Sequence, residues 1–495
     1  MEAILSGLEL LLQPLPLLML FSGVIGGIVV GALPGLTATM GVAILVPFSF
    51  GMEPVPGLLM LLGLYAGAIY GGSVAAILIN TPGTPSAAAT ILDGTPLFNR
   101  GEAGRAIGMA TFASVFGGIG SAIFLVTLAP LLSRFALAFS APEYFALAVL
   151  GITIIGSISS GSLAKGLLSG CIGLIIATIG MDPIQGYTRY TFGTVNLMGG
   201  VPFIPALIGL FAVSEAITQF ERLIEPIKEE VNLKKLIPSF SDIKRVMRTM
   251  LKSTVIGTFV GALPGAGGDI ASFVCYNEAQ RSSKHPETFG TGEIEGVAAA
   301  ETGNNASTGG ALIPTLSLGV PGDSVTAIII GALMVQGLRP GPLLFRDHLD
   351  IVNALFIGFI AANVFFGIFG LMMAGFLSKL IMISKRSLIP IIMVLAIVGS
   401  FAMQNNVFDI FLMLLLGIFG YLVRKINVPL GPIVLALILG PMVEENFRKS
   451  LVMSYGDYSV FFVRPISAVL LLLALISVIT TIVRERKGKH VPGTE

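Results

Sequence analysis

Two kinds of residue in this chain have the setting for chemistry inside a membrane. Glu301, Asn304, Asn305, Ser307 and Thr308 crowd one stretch of Gly and Ala, while Asp269 and Asp323 lie close to Pro-Gly pairs. Short oxygen ligands of this kind suit a hard cation, and an intramembrane acid is costly enough to be functional by default. The plainer readings are interhelical hydrogen bonds for the amides and hydroxyls and a helix N-cap for Asp323. The Pro-Gly pairs interrupt apolar runs at Gly31-Ala32-Leu33-Pro34-Gly35, Asn80-Thr81-Pro82-Gly83-Thr84, Gly261-Ala262-Leu263-Pro264-Gly265 and Val320-Pro321-Gly322-Asp323-Ser324. Proline removes a backbone donor and glycine relaxes the torsional restraint, so each pair breaks a helix. In hydrocarbon such a break persists only where protein or a wet cavity satisfies the freed groups. Four breaks matched between two halves point to a binding site. The candidate substrate-binding residues are Pro34, Gly35, Thr37, Asn80, Thr81, Pro82, Gly83, Thr84, Pro264, Gly265, Pro321, Gly322 and Ser324. The candidate cation-coupling residues are Glu301, Asn304, Asn305, Ser307, Thr308, Asp323 and Asp269, with Na+ or H+ as the ion.

The elements that must position them are membrane helices. With 495 residues, 54% hydrophobic and 12% charged, the composition predicts an all-α polytopic membrane protein in a lipid bilayer. A net charge of +1 gives no sign of nucleic acid, and two cysteines in apolar surroundings argue neither a disulfide nor a metal site. The 61 glycines suit close helix packing. Apolar segments read at 10–32, 104–134, 141–160, 163–182, 201–218, 251–262, 351–380, 387–403, 406–423, 428–443 and 463–483 predict about eleven or more crossings. The stretch 35–93 reads as broken or re-entrant helices, or equally as two complete crossings. Tyr276 to Glu295 reads as a polar insertion, Asp93-Gly94 as a turn, and Tyr65, Tyr70, Tyr144 and Tyr187 as packing or interface residues.

Charge sets the orientation. The polar linker after Glu221 and the tail Arg484-Glu485-Arg486-Lys487 are rich in Lys and Arg, and both read as cytoplasmic. Working back from them puts the N-terminus in the periplasm and makes 104–134 and 351–380 run in opposite directions. The phrase Gly-Ala-Leu-Pro-Gly recurs at 31 and 261, and Val201-Pro202-Phe203-Ile204-Pro205 has its echo in Val428-Pro429-Leu430-Gly431-Pro432, in the same order and at similar spacing. A duplication in inverted orientation accounts for this. It divides the chain into a first transmembrane repeat (1–220), a cytoplasmic linker (221–250), an inverted second repeat (251–447), and an unpaired C-terminal helix with its basic tail (448–495).

Tyr70-Gly71-Gly72-Ser73, Asn80-Thr81-Pro82-Gly83-Thr84-Pro85, Gly101-Glu102-Ala103-Gly104-Arg105-Ala106, Glu301-Thr302-Gly303-Asn304-Asn305-Ala306-Ser307, Gly309-Gly310-Ala311-Leu312-Ile313-Pro314 and Leu318-Gly319-Val320-Pro321-Gly322 stand in an order that resembles the large membrane subunit of the tripartite tricarboxylate transporters, TctA type. That resemblance implies a translocation subunit of the bacterial inner membrane that imports di- or tricarboxylates such as citrate on a cation gradient. It also implies two partners, a small membrane subunit and a periplasmic solute-binding protein, and no cofactor. The family's commoner wording has Ala where this chain has Thr302-Gly303 and Ser307, which adds hydroxyls near the expected site. Residues 1–99 contain no cationic side chain, so the first two breaks hold an anion only through helix N-termini and short polar groups.

The rival readings are a stand-alone organic-anion carrier, a channel and an intramembrane hydrolase. The three histidines, His285, His348 and His490, fall in polar stretches, which argues against a serine–histidine intramembrane protease. Asp269 follows Ala266-Gly267-Gly268 and so misses the Gly-x-Gly-Asp pattern of the aspartyl type. No catalytic residue is expected. An elevator-like movement of the part holding the breaks against the remaining helices is.

Overall fold

A computed structural model describes residues 2–33, 35–158, 163–182, 185–221, 236–264, 267–381 and 385–486. Among these, seven helices are long and apolar enough to cross a membrane. The chain opens with α1 (Glu2–Leu12) and α2 (Pro14–Ala32), then α3 (Ala38–Phe50), α4 (Pro54–Ile79), α5 (Ala88–Asn99) and α6 (Ala103–Ala136). Pro14 at the first turn of α2 separates it from α1, so segment 10–32 is two helices.

Glycine spacing fixes how these helices meet. Gly23, Gly27 and Gly31 of α2 lie on Met60, Leu64 and Ala68 of α4, and Gly63, Gly67 and Gly71 of α4 lie on α2 in return. A Cβ at any of them would run into the facing backbone. Four-residue spacing on both sides gives the small-residue seam that lets membrane helices approach closely. The order of these contacts makes α2 and α4 parallel. Gly41 against Leu64 and Gly57 against Ser49 make α3 antiparallel to both. Thus α2 and α3 form a hairpin with its tip at 33–37, where the chain reverses direction. With 13 and 12 residues, α3 and α5 are only about 20 and 18 Å long, short of a hydrocarbon core of about 30 Å. Between them α4, with 26 residues, is long and apolar enough to cross.

The chain continues through α7 (Ala141–Ile158) and α8 (Leu163–Ala177) to a two-stranded ribbon, β1 (Gly180–Met181) with β2 (Thr188–Arg189). Next come α9 (Phe203–Leu207), a π turn at Ile208–Val213 and α10 (Ser214–Glu221). The linker residues 222–235 lie outside the described residues. Then α11 (Phe240–Gly261), α12 (Gly267–Ser282), α13 (Ile294–Leu318) and α14 (Ser324–Val335) repeat the opening arrangement. Gly257 and Gly261 of α11 lie on Gly303 and Ser307 of α13, so this pair is parallel. Gly268 of α12 reaches Asn304 and Ser307, and Cys275 reaches Gly303, so α12 returns antiparallel. Following α15 (Pro342–Asp347), α16 (Leu349–Leu380) runs antiparallel to α6, with Gly118 at Asn363 and Gly367 at Val115. The rest is α17 (Lys385–Gln404), α18 (Val407–Lys425), α19 (Gly431–Met453), α20 (Val460–Val463) and α21 (Pro465–Arg486). The basic tail from Lys487 onward lies outside the described residues.

The helices sort into a core, α1–α6 with α11–α16, and a frame built from α7–α10 and α17–α21. Within the core the two halves interleave, α13 packing on α6 and α4 on α16. Asp93 is a buried residue of α5 instead of a turn. It accepts from the backbone N–H of Gly292 (2.8 Å) and Glu293 (2.7 Å) and from Tyr276 Oη (2.9 Å). The stretch Tyr276 to Glu295 holds the end of α12 and a short 3-10 turn that Asp93 ties down.

Gly67→Leu is expected to lower the Tm of the purified protein by overpacking the α2–α4 seam, at a cost of about 1–3 kcal/mol or more. Gly26→Leu has open space within 4 Å of the added carbon and is expected to leave the Tm unchanged. A thermal melt of the two variants beside the parent reads the difference.

Candidate functional site

The four breaks converge in the core. Gly83 lies against the carbonyl of Gly31, so the second break sits on the first, and its N–H donates to Gly72 O (3.2 Å). Gly322 stands in the equivalent place in the second half: a Cβ there would come 2.8 Å from the carbonyl of Gly261 and 2.5 Å from Ala311 Cα. Within the second half a Cβ on Gly267 would stand 3.2 Å from Asp323 Cβ, and one on Gly268 would stand 2.7 Å from Asn304 Oδ1; the halves meet where that same Gly268 Cβ would stand 2.9 Å from Ser86 Cβ. Pro34 and Gly265 lie outside the described residues, but their neighbours Gly35 and Pro264 are half-buried at the two hairpin tips.

Helices α3, α5, α12 and α14 all start just after these breaks, so each break carries the positive end of a helix. Thr37 caps α3, its Oγ1 accepting from Met40 N (3.1 Å). Asp323 caps α14 in a reciprocal box with Thr326: Oδ1 accepts from Thr326 N (2.7 Å) and Thr326 Oγ1 accepts from Asp323 N (2.9 Å). The second carboxylate oxygen accepts from Tyr65 Oη at 2.5 Å. Thr84 is buried with its hydroxyl 3.1 Å from Ser86 Oγ, and Pro321 in the fourth break is buried as well. Asn80 takes a left-handed conformation (φ 53°) that ends α4. It is exposed, as is Thr81; Pro82 and Ser324 are half-buried.

The expected cation ligands fall into two groups. Asn304, Asn305, Ser307 and Thr308 stand in the middle of the unbroken helix α13, not beside a break in their own chain, and face breaks made by other segments. On one side of α13, Glu301 is fully buried. Its carboxylate accepts from Thr90 of α5, Ser114 of α6 (2.9 Å) and Asn305 Nδ2 (3.4 Å). Thr308 Oγ1 donates to the carbonyl of Asn305 (2.6 Å). About 60° round the helix, Asn304 is fully buried with neither amide atom partnered, aimed at Gly268 and Ser86. Ser307 Oγ donates to the Asn304 carbonyl (2.7 Å). A buried amide with no partner costs about 1–3 kcal/mol, which singles Asn304 out as a group with hydrogen-bonding capacity to spare.

Asp269, in the first turn of α12, is exposed and near enough to Asp323 for the charges to interact. Among the described residues the charged groups gathered here are these two acids, and no group of three or more His, Cys, Asp or Glu residues is arranged to hold a metal ion. Tyr65 was expected to be packing and instead donates to Asp323. Its position was signalled in the repeat: it precedes Pro82 by the same number of residues as Asn304 precedes Pro321. Ser86, Thr90 and Ser114 carried no such signal, because isolated hydroxyls are common in membrane helices.

Residues 17–435 match the family model described as the tripartite tricarboxylate transporter TctA family. An "uncharacterized 52.8 kDa protein in TAR-I ttuC' 3'region" of Agrobacterium vitis is 39% identical over 494 residues, covering 98% of this chain and 96% of that protein. An "uncharacterized protein in TAR-II ttuC' 3'region" of the same organism is 38% identical over 238 residues, 47% of this chain and 97% of the relative. No solved structure matches.

Glu301→Leu strands the Thr90 and Ser114 hydroxyls in the core and is expected to cost about 1–3 kcal/mol for each donor left unpaired. Glu301→Gln keeps an acceptor and should cost less. Tyr65→Phe, which removes one hydrogen bond and leaves the Asp323 cap, should cost only about 0.5–1.5 kcal/mol. Melting curves in detergent rank the three, and equal Tm losses for the two Glu301 variants contradict the assignment.

Proposed function

We propose that this chain, which belongs to the tripartite tricarboxylate transporter TctA family, is the translocation subunit of a secondary carrier that imports a di- or tricarboxylate together with a cation. It does so with a small membrane subunit and a periplasmic solute-binding protein. The observation that carries the reading is the charge balance where the breaks meet. Helix N-termini supply only about half a charge each, and the side-chain charges gathered there, Asp269 and Asp323, have the sign of the substrate. A polyanion held at Thr37, Thr84 and the N–H groups of the four breaks therefore needs a companion cation. The unpartnered Asn304 amide, with Asp269, Asp323 and the Tyr65 hydroxyl nearby, gives oxygen ligands for it. Na+ and H+ both satisfy this balance.

The carrier reading rests on an inverted duplication. Its support is the pair of hairpins α2–α3 and α11–α12, the pair of broken helices α4–α5 and α13–α14, the Gly83–Gly31 contact repeated at Gly322–Gly261, and the antiparallel α6 and α16. Arg100, Arg105, Asp242 and Arg245 gather at one end of the core; placing that end in the cytoplasm of a bacterial inner membrane follows the bias of positive charge to the inside. Such halves alternate access by moving one part against the other about a central site. A channel is the second reading.

The test is uptake of labelled di- and tricarboxylates into proteoliposomes holding the chain, the small subunit and the binding protein, with sodium and proton gradients imposed singly. Uptake is expected with one gradient and not without. Exchange of internal labelled for external unlabelled substrate should occur in a carrier and saturate. Uptake that survives collapse of both gradients contradicts the coupling.

A further inference from the structure

Two buried carboxylates lie where α5 meets α13, and they are served differently. Asp93 accepts from two backbone N–H groups and from Tyr276, and the Arg100 guanidinium stands close by, 3.2 Å from where a Cβ on Gly292 would be. Further along α13, the hydrogen bonds to Glu301 come from side chains alone. Thr90 of α5, Ser114 of α6 (2.9 Å) and Asn305 Nδ2 (3.4 Å) donate to it, and the Ser73 hydroxyl of α4 is within reach. All of these side chains are buried. Tyr70, held by Thr111, also faces the carboxylate from α4. Among the described residues no Lys, Arg or His pairs with Glu301.

A carboxylate shut off from both water and counter-charge is costly in a bilayer, and a cation removes that cost. Asn305 favours a metal ion over a proton. Its Nδ2 donates to the Glu301 carbonyl (3.1 Å) as well as to the carboxylate, which leaves its Oδ1 buried with no partner. A proton bridges two oxygens; here Glu301, Asn305, Thr90, Ser114 and Ser73 bring oxygens from four helices, a surplus that suits a hard cation. The hydroxyls can turn to it, since each is donor and acceptor. A lone pair then faces the ion while the hydrogen goes to a carbonyl one turn back, as Ser73 already does toward Tyr70 O.

We propose that Glu301, Asn305, Thr90, Ser114 and Ser73 form a sodium site of their own, distinct from the cation site at Asn304, Asp269 and Asp323, so that each carboxylate moves with two cations. Thr90 lies in the first turn of α5, directly after the second break. An ion that draws on its hydroxyl therefore steadies the helix end offered to the anion, which ties sodium at Glu301 to substrate at the break. The inference rests on the carrier reading, and it supplies a second positive charge to a substrate with two or more negative ones.

Two readouts test it, each with choline replacing sodium at constant ionic strength. In proteoliposomes holding the chain and its partner proteins, the Hill slope of uptake against sodium is expected to fall by about one in Glu301→Gln relative to the parent. In detergent, sodium is expected to raise the Tm of the parent, because a bound ion stabilises the folded state. Glu301→Gln and Ser114→Ala should each lose part of that rise, and Ser114→Ala, which keeps the carboxylate, should need more sodium to reach half of it. Where Glu301→Gln moves no substrate, the melting curves decide. A Hill slope unchanged by Glu301→Gln overturns the inference, as does a sodium-induced Tm rise equal in parent and both variants, or a parent driven by protons alone and indifferent to sodium. If sodium stabilises the parent more than the variants but the complete system moves no carboxylate under any gradient, the ion site stands and the carrier reading falls.

Discussion

Unwound backbone in a bilayer is the constraint everything else answers to. Each break frees N–H and carbonyl groups that hydrocarbon cannot satisfy, so each must be enclosed by protein or water. This chain encloses them against one another: the Gly83 break is laid on the Gly31 carbonyl, and the Gly322 break on that of Gly261. Only glycine allows such an approach, and the glycine seams of α2 with α4 and α11 with α13 bring the supporting helices close enough for it. The breaks are thus held by some of the tightest backbone packing in the molecule, which leaves the polar ends oriented before any ligand arrives.

Electrostatics divides the site's labour. Helix N-termini attract anions, while Asp323 spends part of its negative charge on capping one of them and part on Tyr65. Asn304, its side-chain amide left without a partner, and the exposed Asp269 remain free to respond to a ligand. Glu301 differs in kind. Enclosed by Thr90, Ser114 and Asn305, it is fully buried and ties α13 to α5 and α6.

The sequence showed the breaks, the small-residue packing and the capping role open to Asp323, because each is local: Pro-Gly pairs and an acid just before a helix carry their geometry with them. What it hid was direction and facing. Segment 10–32 has the hydropathy of a crossing, but only the order of contacts along α4 shows that α2 and α4 run parallel with α3 antiparallel between them. Glu301 and Asn304 are three residues apart and look like one cluster in sequence, yet they face different neighbours. Asp93-Gly94 carried the composition of a turn; distant donors at Gly292 and Glu293 keep it helical and buried. Tyr65 was lost among other tyrosines because its partner lies 258 residues away.

Those long separations bear on how the protein is made. Asp93 finds its backbone donors 199 and 200 residues later, and Thr90 finds Glu301 at a separation of 211. A ribosome delivering α5 and α6 to the membrane therefore releases helices whose polar groups have no partners until α13 has been translated. Maturation is then a late, concerted closure set by synthesis of the residues around 300, and a nascent chain truncated before them is substrate for quality-control proteases.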